Sequence, residues 1–392
     1  MAFRKFQADS IFDGKQTYPS SAVLICNHAG AVMGIETETE AGGNIQKLKG
    51  VLTPGFINCH CHLELSHMRG LIAEDTGLID FVFSIVTQRH FPEEEILEAI
   101  SVAEAEMLEN GIVAVGDICN NLLTYQQKLK NNLSYYNFVE SSGWLPDIAE
   151  QRFIRSKILF DEFSKNLPTS IVPHAPYSVS DPLWHLIKPY YKNKVVSIHN
   201  QETVFEDELF LQKSGDFIRM YEMMKLDHSF YTPSGKSSLQ TYFNNLHDAK
   251  HVVLVHNTFT KEEDVEYVKK VRRQDAVSFC LCVNANKYIE RSIPAIDMLR
   301  RQECHIVLGT DSLASNWSLS VLDELKTIQK SFPDIPVEEL LRWGTLNGAK
   351  ALQKDDKLGS FEKGKVPGVI LLEGLDVNHH ETLQSAKAQR LL

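Results

Sequence analysis

The sequence predicts an α/β architecture, an eight-stranded (β/α)8 TIM barrel carrying a small composite β-sandwich built from both chain ends. Three observations lead there. Eight short β-branched runs alternate with longer amphipathic or polar stretches; most of these runs are continuously apolar, as strands covered on both faces are; and polar residues able to bind a metal recur where the runs end.

The first run, Val51 to His62, ends in two histidines one residue apart. In an extended strand alternate side chains share a face, so His60 and His62 point one way while Cys59 and Cys61 point the other. Two imidazoles on one face suit a metal ion. The remaining runs are Ile112 to Ile118, Leu133 to Glu140, Ser170 to Tyr177, Val195 to Glu202, His251 to Asn257, Ala276 to Cys282 and His305 to Asp311.

Pro92 to Glu109 reads as the helix leading into the second strand, with a Pro at its start, an acidic first turn and Asn110-Gly111 at its end. Glu262 to Arg273 and Ile293 to Arg301 precede strands 7 and 8, and Ser320 to Lys330 follows strand 8. The connection from Thr203 to Lys250 is long for a βα loop, and its Thr232-Pro233-Ser234-Gly235 stretch carries loop signals, which places it over the site. Residues 1–50 and 356–392 hold the strand-like pieces Ala22 to Cys26, Ala31 to Glu36 and Val369 to Glu373, assigned to the β-sandwich domain; residues 51–355 form the barrel.

At 392 residues, 43% hydrophobic and 23% charged, the chain is of globular composition. A net charge of -11 without a concentrated Lys/Arg block excludes a nucleic-acid or anionic-membrane footprint and favours a small-molecule substrate. The amino terminus lacks an apolar signal core, and no run reaches the roughly 18 to 20 apolar residues of a membrane span, so a cytoplasmic location is expected. Seven cysteines, an odd number, read as reduced thiols. Cys59/Cys61 and Cys280/Cys282 have a spacing too tight for the usual zinc knuckle and read as buried apolar residues.

The strand ends carry the chemistry. Strand 1 ends in His60 and His62, strand 4 carries His174, strand 5 ends in His199, strand 6 in His256 and strand 8 in Asp311. A lone strand-end histidine is usually a satisfied polar group, but five convergent ends in a barrel, whose active site lies at that face, point to a metal centre.

The segments TPGFINCHCH, VPHAPYSVSD, SIHNQET, VLVHN, LCVNANKYI and LGTDSLASNWSLSVLDEL, with Leu358 to Lys365 as a return strand, resemble the amidohydrolase superfamily, in its mononuclear-metal deaminase branch. The resemblance implies that His60, His62, His199 and Asp311 hold one divalent ion, zinc first and iron second. It implies that Asp311 and His256 act on the attacking water, and that Glu202 shuttles a proton to a ring nitrogen and then to the leaving ammonia. Strand 4 has His174 and no lysine, which argues against a two-metal site.

The same resemblance narrows the substrate to an adenine nucleoside. His174 matches a substrate contact, and Asn286 matches a position where Val283 replaces the usual Pro nearby. The Asp80 to Arg89 stretch lacks the ribose-binding Glu of S-adenosylhomocysteine and methylthioadenosine deaminases. His62-Leu63-Glu64-Leu65-Ser66 and the segment from Ser315 to Leu325 look closer to aminofutalosine deaminases of menaquinone biosynthesis, whose substrate bears a benzoate-containing chain. Glu64 is then a sugar ligand, Arg69, Arg89 or Arg152 meets the carboxylate, and Ser312 and Trp317 join the substrate contacts. The expectation is 6-amino-6-deoxyfutalosine deamination by a homodimer. The alternatives are S-adenosylhomocysteine or methylthioadenosine deamination, guanine or cytosine deamination, triazine chlorohydrolysis, or a silent barrel acting as a scaffold.

Overall fold

The structure, a computed structural model, describes residues 3–392. Eight parallel strands form its centre: β1 (Phe56–Cys61), β2 (Ile112–Cys119), β3 (Ser134–Ser141), β4 (Thr169–Pro173), β5 (Val195–Asn200), β6 (His251–His256), β7 (Val277–Leu281) and β8 (Ile306–Leu308). They pair in chain order as two four-stranded sheets, β1 to β4 and β5 to β8. The sheets meet at both edges. Thr310 N and Asp311 N donate to His60 O at 3.0 and 3.1 Å, beside a bridge between Cys61 and Asp311, and His199 N donates to His174 O at 3.0 Å. The ring of the expected barrel therefore joins at its carboxyl end, on both sides, through residues that also face the interior.

Element limits differ from the sequence reading for local reasons. The first run divides at Pro54-Gly55, since Pro has no N–H to continue a ladder. Its leading part, Val51–Thr53, pairs with Ser10–Phe12 and Ile370–Glu373 in a sheet of terminal segments. The fourth strand stops at Pro173, and Pro176–Ser178 makes a short helical turn past it. The helix before β2 spans Glu93–Glu109, with Pro92 as its cap and three glutamates in the first turn, where the helix dipole favours negative charge. Ser320 caps Val321–Ser331, its Oγ accepting from Asp323 N at 3.2 Å. The connection after β5 is largely helical, over Val204–Gln212, Asp216–Met223 and Ser238–Tyr242.

The chain ends supply two facing sheets. One holds Arg4–Gln7, Ala22–Cys26, Val32–Thr37 and Gln46–Lys47; the other holds Ser10–Phe12, Thr17–Pro19, Val51–Thr53, Ile370–Glu373 and Lys387–Arg390. Phe6, Ile11, Leu24, Leu52 and Leu371 fill the space between them. The barrel has its own core, which includes Phe56, Val115, Phe138, Ile171, Ile198, Leu254 and Val307. All seven cysteines are free thiols, six of them buried. No helix of the described residues is long and apolar enough to cross a membrane.

Candidate active site

The alternation of β1 delivers His60 and His62 to the barrel interior, where their rings meet His199 from the end of β5. His62 Nε2 lies 3.1 Å from His60 Nε2 and 3.4 Å from His199 Nε2. Asp311 Oδ1 stands 3.4 Å from His60 Nε2 and 3.3 Å from His62 Nε2. His256 joins the group: one donor atom each of His60, His199, His256 and Asp311 lies within 4.8 Å of all the others. His199 Nδ1 donates to His174 O at 2.7 Å, so its Nε2 presents a lone pair to this centre. Nitrogen and carboxylate lone pairs facing one another at such distances repel unless a cation lies between them. The donor set is therefore fitted to a divalent ion with N and O ligands.

Several devices aim these side chains. Asn58, two residues before His60, and Thr310, next to Asp311, bond each other twice, Asn58 Nδ2 to Thr310 Oγ1 at 2.7 Å and Thr310 N to Asn58 Oδ1 at 3.1 Å. Gly309 lets β8 approach β1 closely, because a Cβ there would stand 2.8 Å from His60 Cβ. Asp117 on β2 accepts from Leu63 N at 2.9 Å, just past His62, and is itself paired with the fully buried Lys128 at 2.5 Å. His256 and Asp311 both adopt left-handed backbone, at φ 72° and 56°, conformations that persist only where the surroundings over-determine them. Asn286 Oδ1 accepts from His256 Nδ1 at 2.8 Å, which turns the unprotonated Nε2 towards Glu202 Oε1, 3.5 Å away.

Burial separates the protonation states. The Glu202 carboxyl is pushed well above the usual carboxylate range by burial and by the charges of Asp311, Glu290 and Glu206. Burial lowers His256 to about 4, and it lowers His62 and His199 as well. Asp311 is also buried, yet the imidazoles of His60, His62 and His256 hold it well below the usual range. The Glu202 and Asp311 carboxyls are thus pushed in opposite directions, Glu202 towards its protonated form and Asp311 towards its ionised form, the separation an acid–base pair requires.

A cavity of about 730 Å³ opens from this centre. His174, Glu64 and Ser312, three of the substrate contacts suggested by the sequence, line it. His174 Nδ1 bonds Ser178 Oγ at 2.8 Å, and Glu64 Oε2 accepts from Asn120 N at 3.0 Å, with burial raising the Glu64 carboxyl to about 7. Three other expected contacts lie elsewhere. Arg69 pairs with Glu106 at the surface because that carboxylate, on the neighbouring helix, is nearer than the cavity. Trp317 is 51% exposed and its Nε1 donates to Glu74 Oε1 at 2.9 Å. Asn286 is buried behind His256 and reaches the site only through that ring.

Arg89 and Arg152 do line the cavity, together with Arg155. The far wall is apolar, with Phe81, Ile85, Met220 and Met224 and a Trp144–Tyr221 stack at 4.6 Å between ring centroids. Part of the long connection thus covers the site. Residues that the sequence reading passes over include Glu140 and Asn120, bonded to each other at 2.8 Å on the cavity wall, and Ser315, whose Oγ donates to Asp311 Oδ2. Arg155 is passed over as well, although its place three residues after Arg152 on one helix was an available signal.

The amidohydrolase family model matches residues 51–389. An adenosine deaminase of Helicobacter pylori is 28% identical over 328 residues, 80% of this chain and 77% of that protein. A 5-methylthioadenosine/S-adenosylhomocysteine deaminase of Thermoanaerobacter pseudethanolicus is 25% identical over 88% of this chain and 78% of its own. Among solved structures, the Helicobacter pylori aminofutalosine deaminase in complex with methylthio-coformycin superposes with a TM-score of 0.82 over 99% of this chain and 100% of that chain, at 21% identity.

Proposed function

The chain belongs to the amidohydrolase family, and from its site we propose that it hydrolytically deaminates an adenine nucleoside, 6-amino to 6-oxo, with 6-amino-6-deoxyfutalosine as the first candidate substrate. The observation that carries the chemistry is the buried Glu202 carboxyl, its Oε1 3.5 Å from His256 Nε2 beside the cluster of imidazole and carboxylate donors, where burial pushes it well above the usual carboxylate range. His60, His62, His199 and Asp311 hold one divalent ion in this reading, zinc before iron, since imidazole and carboxylate accept both and zinc tolerates this small, irregular set. Such an ion acidifies water so that hydroxide is available near neutral pH.

The chain's own groups do the rest. Asp311, ionised, takes the proton released from water, and neutral His256 orients the nucleophile through Nε2. Glu202 gives its proton to the ring nitrogen beside the amino-bearing carbon, then relays a proton to the departing amine, so that one water is consumed and one ammonia released. The apolar wall removes bulk water from this exchange.

The substrate reading rests on cavity size and charge. Three guanidinium groups, Arg89, Arg152 and Arg155, stand along the cavity with no carboxylate partner among the described residues, in a chain of net charge -11. Guanidinium pairs a carboxylate bidentately, and the stacked aromatic and methionine wall suits an apolar linker or ring, so an adenosine with an acid-bearing 5′ substituent fits both. S-Adenosylhomocysteine, which also carries a carboxylate, is the second reading. Seven unpaired thiols support a reducing compartment, the cytoplasm in this reading.

The test is ammonia release, with the accompanying ultraviolet change, for 6-amino-6-deoxyfutalosine, S-adenosylhomocysteine, methylthioadenosine, adenosine, guanine and cytosine. A kcat/KM of about 10⁴ M⁻¹s⁻¹ or more for the first compound alone is expected, within the usual enzyme range. Equal rates on adenosine and on the acid-bearing nucleosides would overturn the substrate reading.

A further inference from the structure

We infer that Gln201 is a positioning residue for Glu202, setting the distance of its carboxyl from His256 and docking the covering connection onto the same point. The inference rests on the deaminase reading for its kinetic part. Gln201 is 1% exposed and left-handed, at φ 43°, a conformation that costs a non-glycine residue free energy and that turns the chain so His199 faces inward while Glu202 reaches the rim.

Every hydrogen-bonding group of Gln201 is engaged. Its N–H donates to Glu206 Oε1 at 2.9 Å, and its carbonyl accepts from Phe259 N at 3.0 Å. Its Nε2 donates to Asp207 Oδ1 at 3.1 Å and to Asp264 Oδ2 at 2.8 Å, while its Oε1 accepts from Thr260 Oγ1 at 2.8 Å and Asn200 Nδ2 at 3.5 Å. These partners come from three places. Thr260 and Phe259 follow β6, which carries His256; Asp264 lies on the helix after it; Glu206 and Asp207 begin the covering connection. The connection is fastened further where Ser238 N donates to Asp207 Oδ1 at 2.9 Å and Ser238 Oγ to Glu206 Oε1 at 2.6 Å. The loops after β5 and β6 are thereby zipped side by side, with Glu202 and His256 as the two groups they present.

A buried donor pair shared between two carboxylates accepts few substitutes. Gln201→Glu keeps the shape but, when ionised, cannot donate to Asp207 or Asp264; Gln201→Gly keeps the backbone conformation and removes the side-chain anchors; Ser278→Ala, at the opposite end of the barrel, serves as a control for loss of stability alone. Each is purified with metal content and melting temperature measured, and kcat and KM are compared on the best substrate of the panel, alongside amide hydrogen exchange.

Both Gln201 variants are expected to lose about ten-fold or more in kcat with KM within about two-fold and metal content unchanged. Exchange should quicken at residues 202–207 and 237–240 and nowhere on β1 or β8. A kcat that falls only in proportion to metal-loaded, folded protein, as for Ser278→Ala, would overturn the assignment. If wild-type protein deaminates none of the six compounds, the deaminase reading falls. Exchange alone then decides the anchor, with quickening confined to those two segments supporting it and unchanged exchange overturning it.

Discussion

Asn58 and Thr310 clasp each other across the β1–β8 seam, through a side-chain amide that both gives and receives a hydrogen bond. Neither touches the cavity, yet each lies within two residues of a metal-site donor. Asn58→Leu takes the Asn58 oxygen from the Thr310 N–H, which keeps His60 O at 3.0 Å, and leaves the buried Thr310 hydroxyl with only a long contact to Asp311 O at 3.4 Å, a poorly satisfied group that costs about 1–3 kcal/mol. Urea denaturation should register a loss of about 1–3 kcal/mol, and metal analysis a parallel drop in bound ion. A variant of normal stability and full metal content would refute this role.

Glu202→Gln replaces the buried acid with a group of the same shape that carries no transferable proton. A kcat lower by about 10²–10⁴-fold, with metal content retained, is expected. Activity within about three-fold of wild type would shift the acid role to another group.

Removing one guanidinium at a time separates the cavity residues Arg152 and Arg155 from the surface residue Arg69. Arg152→Ala or Arg155→Ala should raise KM for the acid-bearing nucleoside by about ten-fold or more and leave adenosine nearly unaffected, because one charge-assisted bidentate pair is worth about 1.5–3 kcal/mol. Arg69→Ala, whose side chain answers Glu106, should change neither. A uniform change in KM across all nucleosides would remove the carboxylate from the account.

Acid lability has a defined source at the other end of the barrel. His251 Nε2 and His305 Nδ1 both bond Ser278 Oγ, at 2.7 and 2.8 Å, and burial lowers them to about 3 and about 4. Unfolded histidine titrates near ~6.5, so between that value and ~4 the unfolded chain binds protons that the folded chain refuses. Stability is full above about pH 6.5 and declines as pH falls, by on the order of 1.4 kcal/mol per pH unit for each histidine. Urea midpoints at pH 7.5 and 5.0 should therefore differ less in His251→Gln than in the wild type. Equal differences would exclude His251 as a contributor.

Lys128→Met strands the Asp117 carboxylate at zero exposure and should destabilise by about 3–5 kcal/mol. Adding Asp117→Asn should recover part of that loss, since the amide oxygen still accepts from Leu63 N and no charge is left buried. A double variant no more stable than the single one would contradict this account.

What the sequence discloses is what period and spacing encode. His60 and His62 are legible because a two-residue repeat in a strand has one geometric meaning, and the strand ends at His199, His256 and Asp311 follow from counting eight apolar runs. Glu140, Asn120 and Gln201 are not legible, because their partners come from other strands and a polar residue past a strand end looks the same whether saturated or solvated. Arg69 and Trp317 fail for the complementary reason. Closeness along the chain to His62 or Asp311 says nothing about which way a loop turns, and Glu106 and Glu74 claim both side chains. The short strands Thr17–Pro19, Gln46–Lys47 and Lys387–Arg390 escape because they are polar and too brief for an alternation to register.

The junctions between the two four-stranded sheets fall at His60 with Asp311 and at His174 with His199. His60 and His62 belong to one sheet's half of the chain, His199, His256 and Asp311 to the other, so neither half alone owns a complete donor set. A divalent ion that needs all of these donors would therefore meet its complete set only in a chain whose two halves have docked in register.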